Sequence, residues 1–357
     1  MTGPRLEIDL AAITHNARTL VDRLVAKGIR ITGVTKASLG STDVAQAMLR
    51  GGVSGLGDSR VENLTRLRAA GLDTSLTLIR SPMLSQADRV VRNADRSLNT
   101  EVGVLDALSE AALEQRTTHD VVLMVELGDL REGVAARDVV ELAATMARRP
   151  GLRLVGLGTN LACQCGVVPD QQKMDELSRL VERVEERTGP LSVVSGGNSA
   201  NLDWALGTAD VGRVNELRLG ESILLGTEPL HRRAIDGLHT DTFKLVAEVI
   251  EVQDKPAQPW GQIAQAAFGD APPRTRAGSI RQAILALGRQ DADPDGLTPP
   301  TGVTILGMSS DHLVVDVGDF AISVGDELTF GLNYSALVRA MTSPFVAKVV
   351  PAAVPAT

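Results

Sequence analysis

The sequence has few aromatic residues and only two cysteines. Phenylalanine, tryptophan and tyrosine together make up 2% of the 357 residues, so aliphatic side chains must fill the core. Cys163 and Cys165 are too few for a disulfide framework, and with one residue between them a bond joining them would be strained. These features predict a protein of the reducing cytoplasm.

Other absences argue against membranes and nucleic acids as partners. No apolar run approaches the roughly 20 residues that span a bilayer. Residues 1–9 lack the basic stretch followed by an apolar one that marks a secretory signal. The net charge is −8 and there is no basic stripe, which is unfavourable for binding to nucleic acid or to anionic lipid. We therefore expect neither partner.

The first two thirds of the chain alternates between strand-like and helical stretches. An amphipathic helix is predicted over residues 10–27. Eight short apolar runs with helical patterns between them follow, at 29–37, 53–59, 76–82, 95–99, 121–127, 154–161, 191–195 and 214–218. Continuous apolar strands joined by helices imply a parallel sheet buried on both faces. Eight such units in about 220 residues predict a closed (β/α)8 TIM barrel, with an open doubly wound sheet as the alternative.

The pattern changes after residue 235. Few helical patterns remain, loops are predicted at 254–276 and 292–302, and strand-like runs occur at 242–252, 281–286, 304–308, 312–317 and 327–332. This change predicts two domains, a barrel over residues 1–235 and a smaller, mostly β domain over residues 236–357.

Lys36 is the first candidate for chemistry. Lysine is scarce, with six among the 36 basic residues, and Lys36 stands at the end of the first predicted barrel strand, where barrel enzymes place their active sites. A lysine withdrawn from water at such a position would be a good nucleophile towards a carbonyl group. The alternative is a side chain that extends back into solvent.

Two glycine-containing strand ends are candidate anion sites. Asn198 and Ser199 follow two glycines after the seventh strand, and Gly220, Glu221 and Ser222 follow the eighth. Backbone N–H groups at such turns suit a phosphate, which barrels often bind between these two strands. Ordinary glycine turns with a serine cap are the alternative. A lysine across the barrel mouth from a phosphate site is the layout that pyridoxal 5′-phosphate (PLP) requires.

The order of motifs resembles the alanine racemase-like, fold-type III PLP enzymes. Glu7-Ile8-Asp9-Leu10 with Asn16, and then Thr35-Lys36-Ala37, is similar to the start of that family. More specifically, the sequence resembles the ornithine and related amino-acid racemase branch along essentially the whole chain. Five motifs carry this resemblance: Gly57-Asp58-Ser59-Arg60, Gly128-Asp129-Leu130-Arg131-Glu132-Gly133, Gly196-Gly197-Asn198-Ser199, Gly288-Arg289-Gln290-Asp291 and Ser309-Ser310-Asp311-His312.

This resemblance implies a PLP enzyme that works as a homodimer, the second domain completing the partner's active site. Arg218 would face the pyridine nitrogen, and because an arginine keeps its proton, that nitrogen would stay unprotonated. Arg131 would hold the substrate carboxylate, with a surface ion pair to Glu132 as the alternative. The implied cofactor-binding residues are Lys36, Asn160, Asn198, Ser199, Arg218, Gly220, Glu221 and Ser222.

Three positions depart from alanine racemase. Arg289 stands where that enzyme has its catalytic tyrosine, Gly40 stands four residues past the lysine in place of another tyrosine, and Asn160 replaces a histidine. We therefore expect a preferred substrate other than alanine. The branch implies ornithine or another basic amino acid, whose ammonium group needs a carboxylate, and the sequence offers Asp58, Asp129, Glu132 and Asp291.

Racemisation by two bases needs a proton donor on each face of the α carbon. Lys36 serves one face. Asp311 and His312 are the candidates for the other, because histidine ordinarily titrates near pH 6.5. Asp291 is predicted to contact the substrate and is a further candidate base. The alternative is that Asp311 and His312 only cap a turn.

Two other functions remain open. A metal-assisted PLP lyase resembling D-threonine aldolase or D-serine dehydratase would need a histidine with a cysteine or aspartate late in the second domain. Residues 333–337 contain no such pair, and we expect no metal. A non-catalytic PLP homeostasis protein would resemble the barrel alone, so residues 236–357 argue against it.

Overall fold

The computed structural model describes residues 3–207, 210–269 and 277–351. Within these ranges the α-helices are α1 Leu10–Val25, α2 Thr42–Arg50, α3 Val61–Ala69, α4 Ala87–Asn93, α5 Val102–Glu114, α6 Val139–Met146, α7 Gln171–Thr188, α8 Leu202–Leu206, α9 Glu221–Leu225 and α10 Tyr334–Thr342. The strands are β1 Arg5–Ile8, β2 Arg30–Val34, β3 Gly55–Asp58, β4 Leu76–Leu78, β5 Arg96–Asn99, β6 His119–Glu126, β7 Val134–Ala135, β8 Leu152–Thr159, β9 Val193–Ser195, β10 Glu216–Leu219, β11 Phe243–Pro256, β12 Ser279–Leu285, β13 Leu297–Thr298, β14 Thr304–Met308, β15 Leu313–Asp316, β16 Glu327–Leu332 and β17 Ala347–Val349.

Eight parallel strands close into a barrel. The strands follow one another around it in the order β2, β3, β4, β5, β6, β8, β9 and β10, and β10 pairs with β2 so that no edge is left open. The two-residue strand β7 pairs in parallel with the last two residues of β6. Each predicted barrel strand overlaps an observed one, and the predicted (β/α)8 barrel followed by a mostly β domain is confirmed.

Helix α1 shows why the alternating pattern folds in this way. Its buried side chains recur three or four positions apart, so one face packs inwards while the other stays polar. They are Ala12, Ile13, Asn16, Ala17, Leu20 and Leu24. Gly28, with a φ of 72°, then reverses the chain into β2, a conformation that residues with a side chain rarely adopt.

The second unit is built on an eight-stranded sheet in the order β13-β16-β11-β12-β15-β14, in which β1 also pairs with β11 and β17 pairs with β1. The compact units are Leu10–Thr240 on one side and, on the other, strand β1 with the described residues from Asp241 onwards. The N-terminal residues 1–9 were predicted to belong to the barrel domain. In the structure, β1 instead pairs with β11 and β17, and Arg5 forms an ion pair with Glu327 of β16.

Two predicted loops contain regular structure. Strand β11 continues to Pro256, inside the predicted loop 254–276, of which residues 270–276 lie outside the described ranges. The predicted loop 292–302 contains the short strand β13, which pairs with β16. Helix α10 is also unpredicted, although its buried positions, such as Leu337 and Met341, have helical spacing.

The buried His119 should make stability depend on pH. It is 1% exposed, and its Nε2 lies 2.8 Å from the Ser97 hydroxyl. Burial lowers the pKa of His119 to about 4. The unfolded chain takes up this proton near pH 6.5, so the free energy of unfolding should fall by about 3 kcal/mol as the pH drops from about 6.5 to about 4.

We expect His119→Gln to remove that part of the pH dependence. The measurement is urea unfolding of both proteins at about pH 7 and about pH 4.5. The difference between the two pH values should be smaller in the variant. Equal differences would show that His119 does not titrate in this way.

Candidate active site at the mouth of the barrel

Lys36 lies immediately beyond β2, in a short 3-10 turn. Its side chain is exposed, so the expectation that it is withdrawn from water is wrong. The residue before it, Thr35, is buried, and its hydroxyl donates a hydrogen bond of 2.7 Å to the Asp58 carboxylate. The exposed Lys36 side chain therefore follows a strand end that the hydrogen bond between Thr35 and Asp58 holds in place.

Asp58 ties the ends of two barrel strands together. It is fully buried at the end of β3 and, besides Thr35, accepts hydrogen bonds from Arg60 N at 2.9 Å and Asn63 Nδ2 at 3.0 Å. Burial raises the pKa of Asp58, and these hydrogen bonds act in the opposite direction. Because its oxygens already have three donors, Asp58 does not offer the carboxylate expected for a substrate ammonium group.

Arg218, in β10, is the charged centre of the mouth. It is 4% exposed, and its Nη2 donates to Thr159 O at 2.8 Å and to Asn160 Oδ1 at 3.4 Å. Its Nη1 donates to the Ser195 hydroxyl at 2.5 Å. Burial lowers the pKa of Arg218, but a guanidinium stays protonated in proteins. The cation is thus fixed at the ends of three neighbouring strands.

Asn160 and Asn198 extend this polar cluster. Asn198 Nδ2 donates to Asn160 Oδ1 at 3.0 Å and to Leu161 O at 2.8 Å. Asn160 Nδ2 is buried and has no hydrogen-bond partner among the described residues. A buried amide without a partner is costly, so this nitrogen fits a bound group that accepts a hydrogen bond.

The predicted phosphate loops meet each other. The Ser199 and Ser222 hydroxyl oxygens lie 3.0 Å apart, and Ser222 N donates to Ser199 Oγ at 3.2 Å. A side chain at Gly220 would place its Cβ 3.2 Å from Val34 Cβ, so glycine lets this loop approach β2 closely. The structure therefore brings the loops after β9 and β10 together beside the strand that leads to Lys36.

Glu221 lies at the start of α9 and pairs with Arg232. Burial raises the pKa of Glu221, and the charges of Arg232 and Lys36 act in the opposite direction. The carboxylate thus stands among cations at the edge of the predicted phosphate loop.

Arg131 follows β6 and forms a two-bond ion pair with Glu132, the alternative that the sequence left open. This pairing, together with the nearby Cys163 thiol, raises the pKa of Arg131. Cys163 Sγ also lies 3.5 Å from Asn198 Nδ2. Arg131 therefore lies near Cys163, whose sulfur contacts Asn198 of the cluster around Arg218.

Asp129 organises the loop that carries both cysteines. Its buried carboxylate accepts hydrogen bonds of 2.9 to 3.4 Å from four backbone amides, those of Cys163, Gln164, Cys165 and Val167. Burial favours the neutral acid, but the four donors outweigh it and lower the pKa of Asp129. Like Asp58, this aspartate supports the fold of the mouth and is not free to bind a substrate ammonium.

Replacing Asp129 with asparagine should loosen this loop. We expect the free energy of unfolding to fall by about 2 to 3 kcal/mol, because a charged acceptor of several amides is lost. Amide hydrogen exchange should accelerate across residues 163–167. Asp170→Asn, at an exposed helix cap, is the control. Exchange in the loop that stays as slow as in the unsubstituted protein would contradict this role.

The two late motifs contact each other in the second unit. Arg289 N donates to Ser309 O at 2.9 Å, and Gln290 N donates to Ser310 O at 3.1 Å. A side chain at Gly288 would place its Cβ 2.0 Å from Ser310 O, so only glycine fits against this turn. Motifs about twenty positions apart in the sequence therefore form one surface.

The three candidates for the second base differ in exposure. His312 and Asp311 are both exposed, and His312 Nδ1 lies 2.9 Å from Asp311 Oδ1. This contact is the main cause that lowers the pKa of Asp311. Asp291 is buried and accepts hydrogen bonds from Gly288 N at 3.1 Å and Ser343 Oγ at 2.8 Å. The His312 ring is therefore accessible to solvent, whereas the Asp291 carboxylate is used in hydrogen bonds within the second unit.

Arg96, Ser195 and Glu216 were not among the predicted site residues, although they form a polar network next to Arg218. The available signal was Glu216, a charged residue in an apolar strand two positions before Arg218 and therefore on the same face of it.

Comparisons with known proteins identify the family. Residues 8–229 match the alanine racemase, N-terminal domain, family. A lysine racemase from Thermotoga maritima is 39% identical over 353 residues, covering 98% of this chain and 99% of that protein. The chain belongs to the alanine racemase family. An ornithine racemase from Acetoanaerobium sticklandii is 38% identical, covering 97% of this chain and 99% of that protein.

Solved structures of this family share the fold. The crystal structure of alanine racemase from Streptomyces lavendulae matches with a TM-score of 0.76 and 19% identity, covering 99% of this chain and 98% of that one. The predicted family and the predicted function class, an amino-acid racemase, are confirmed.

No group of three or more His, Cys, Asp or Glu side chains in the described ranges is placed to hold a metal ion. No helix there is long and apolar enough to cross a membrane.

Proposed function

We propose that this chain is a PLP-dependent racemase of basic amino acids, lysine and ornithine first, with Lys36 carrying the cofactor. The observation that carries the proposal is the buried polar cluster of Arg218, Asn160 and Asn198 beside the strand that leads to Lys36. A fixed cation and an unpartnered amide next to an accessible lysine suit an aldehyde cofactor with an aromatic ring.

The residues at the mouth fit PLP. Lys36 would hold its carbonyl carbon, Ser199, Ser222 and the loop at Gly220 and Glu221 its phosphate, and Arg218 with Asn160 and Asn198 its ring. When bound, the cofactor withdraws electrons from the amino acid and so makes its α proton acidic. Support comes from the orphaned Asn160 Nδ2 and from the close approach that Gly220 permits.

The protein's own groups would move the proton. Lys36 would take or return it on one face of the α carbon, while Arg131 holds the carboxylate and so orients the Cα–H bond. His312 would act on the other face, oriented through its Nδ1 by Asp311. In this proposal the protein is a homodimer, and the second domain of one subunit completes the active site of its partner.

The choice of a basic substrate rests on the names of the two similar relatives, a lysine racemase and an ornithine racemase. It also rests on the differences from alanine racemase at Gly40, Asn160 and Arg289. Of the four expected carboxylates, Asp58, Asp129 and Asp291 have internal partners. Glu132 also has a partner, Arg131, but its side chain is only half-buried, so it is the carboxylate of the barrel that would approach the substrate ammonium.

The test is incubation of the PLP-loaded protein with a panel of single L-amino acids, followed by chiral chromatography. We expect D-lysine and D-ornithine to form faster than D-alanine or D-serine. Faster turnover of alanine would reject the proposed substrate class. Cleavage or dehydration of β-hydroxy amino acids without racemisation would support the lyase alternative instead. The cytoplasmic location stays a prediction.

A further inference from the structure

A chain of buried polar contacts leads from Arg96 towards Arg218. Arg96 Nη2 donates to Glu216 Oε2 at 2.6 Å, and the Thr32 hydroxyl donates to the same oxygen at 3.0 Å. Arg96 Nε also donates to Thr77 Oγ1 at 3.1 Å. The Glu216 carboxylate is therefore held from two other barrel strands.

Glu216 and Arg218 stand two positions apart on β10, so their side chains point to the same side of the strand. They are 5% and 4% exposed. Ser195, the register partner of Glu216 in β9, accepts the 2.5 Å hydrogen bond from Arg218 Nη1. Ser195 therefore lies next to both charged residues, and Glu216 Oε1 is buried without a hydrogen-bond partner among the described residues.

The charges of Arg96, Glu216 and Arg218 depend on one another. Burial alone would raise the pKa of Glu216, but the neighbouring Arg96 and Arg218 cations outweigh it and the pKa is lowered. Of the charges that favour the Arg218 cation, Glu216 contributes most. Removing one partner from a buried ionic set leaves an uncompensated charge that disturbs the others.

We propose that Glu216, fixed by Arg96, is a positioning residue for Arg218. Together with Ser195 it holds the guanidinium against Asn160, at the place where the proposed cofactor ring would lie. The inference rests on the proposed function, because it assigns to Glu216 an effect on PLP through Arg218.

The test compares Glu216→Gln with Glu228→Gln in the full chain. Glu228 is a matched control, since it is also buried, at 4% exposure, and is held by Arg233 and by neighbouring backbone amides. Both variants should unfold at a lower temperature without cofactor. Only Glu216→Gln should weaken PLP binding, by about tenfold, the equivalent of one hydrogen bond to a charged group. Only Glu216→Gln should shift the absorption spectrum of the bound cofactor and its dependence on pH.

A double variant distinguishes the loss of Arg218 positioning from the effect of an unpaired buried charge. It also provides a test if Glu216→Gln fails to fold. Arg96→Met with Glu216→Gln removes one buried cation and one anion together, so the net charge of the set is unchanged. We expect this protein to regain stability while its PLP affinity stays low and its spectrum stays shifted, because Arg218 is still not held.

Two results would overturn the inference. One is a Glu216→Gln protein with the PLP affinity and spectrum of the unsubstituted chain. The other is a double variant that recovers both, because the effect would then come from an unpaired Arg96 and not from the loss of the Glu216 charge beside Arg218. An unsubstituted protein that does not bind PLP would instead refute the proposed function, and this inference with it.

Discussion

Replacement of Lys36 by alanine should lower racemisation of lysine and ornithine by about 10³-fold or more, since general acid–base catalysis alone contributes roughly 10² to 10⁴-fold. In the proposed site this residue both carries the cofactor and moves a proton on one face. The strand end at this position is fixed by the hydrogen bond from Thr35 to Asp58, and an exposed side chain beyond it contributes little to packing. The variant should therefore keep its thermal stability while it loses activity.

Lys36 can be identified chemically as well. Borohydride reduction of the PLP-loaded protein should fix the cofactor on one peptide, the one that contains Lys36. Lys173→Ala is the matched control, because Lys173 lies in the same unit, on α7, where it forms an ion pair with the N-cap residue Asp170. The control should label and turn over normally. Labelling at another lysine would show that the cofactor site is elsewhere.

Replacement of His312 by alanine should lower racemisation by about 10² to 10⁴-fold while sparing α-proton exchange from one enantiomer. Lys36 would still exchange the proton on its own face, but no group would return a proton to the opposite face. Asp311→Asn should have a smaller effect, because Asp311 would only orient the ring through the contact at Nδ1. The measurement is loss of the α-proton signal from each enantiomer in D2O, together with chiral analysis.

Asp291→Asn provides the comparison for this experiment. Asp291 is buried and bonded to Gly288 N and Ser343 Oγ, so its replacement should reduce thermal stability and affect both enantiomers alike. If the His312 and Asp311 variants racemise at the unsubstituted rate, the second base lies elsewhere, and Cys163 and Cys165 are the next residues to replace.

The barrel could be predicted because its signal is local. Each buried parallel strand is a short apolar run bounded by a helix, so all eight runs overlap observed strands. Strands β14 Thr304–Met308 and β16 Glu327–Leu332 have the predicted bounds because each is a strand-like run between Pro- and Gly-rich stretches, which is also a local signal. Strand β1 could not be assigned in this way, because its partners β11 and β17 lie more than two hundred residues along the chain.

The site could be predicted only in part. Motif order placed Arg218, Asn198 and Ser199 at strand ends, where the structure brings them together. The sequence does not tell whether a carboxylate binds substrate or supports the fold, because this depends on which hydrogen-bond donors surround it after folding. Asp129 and Asp58 therefore support the mouth where a substrate contact was expected.

Racemisation of basic amino acids is tested most directly by analysing the α carbon of the product that forms from a single enantiomer. PLP-loaded protein is incubated with L-lysine or with L-ornithine in D2O, and the enantiomers are separated and analysed for deuterium. We expect the D enantiomer to accumulate until it equals the L enantiomer and to carry deuterium at the α carbon. Recovery of L-lysine and L-ornithine without any D enantiomer, while L-alanine is racemised under the same conditions, would contradict this expectation.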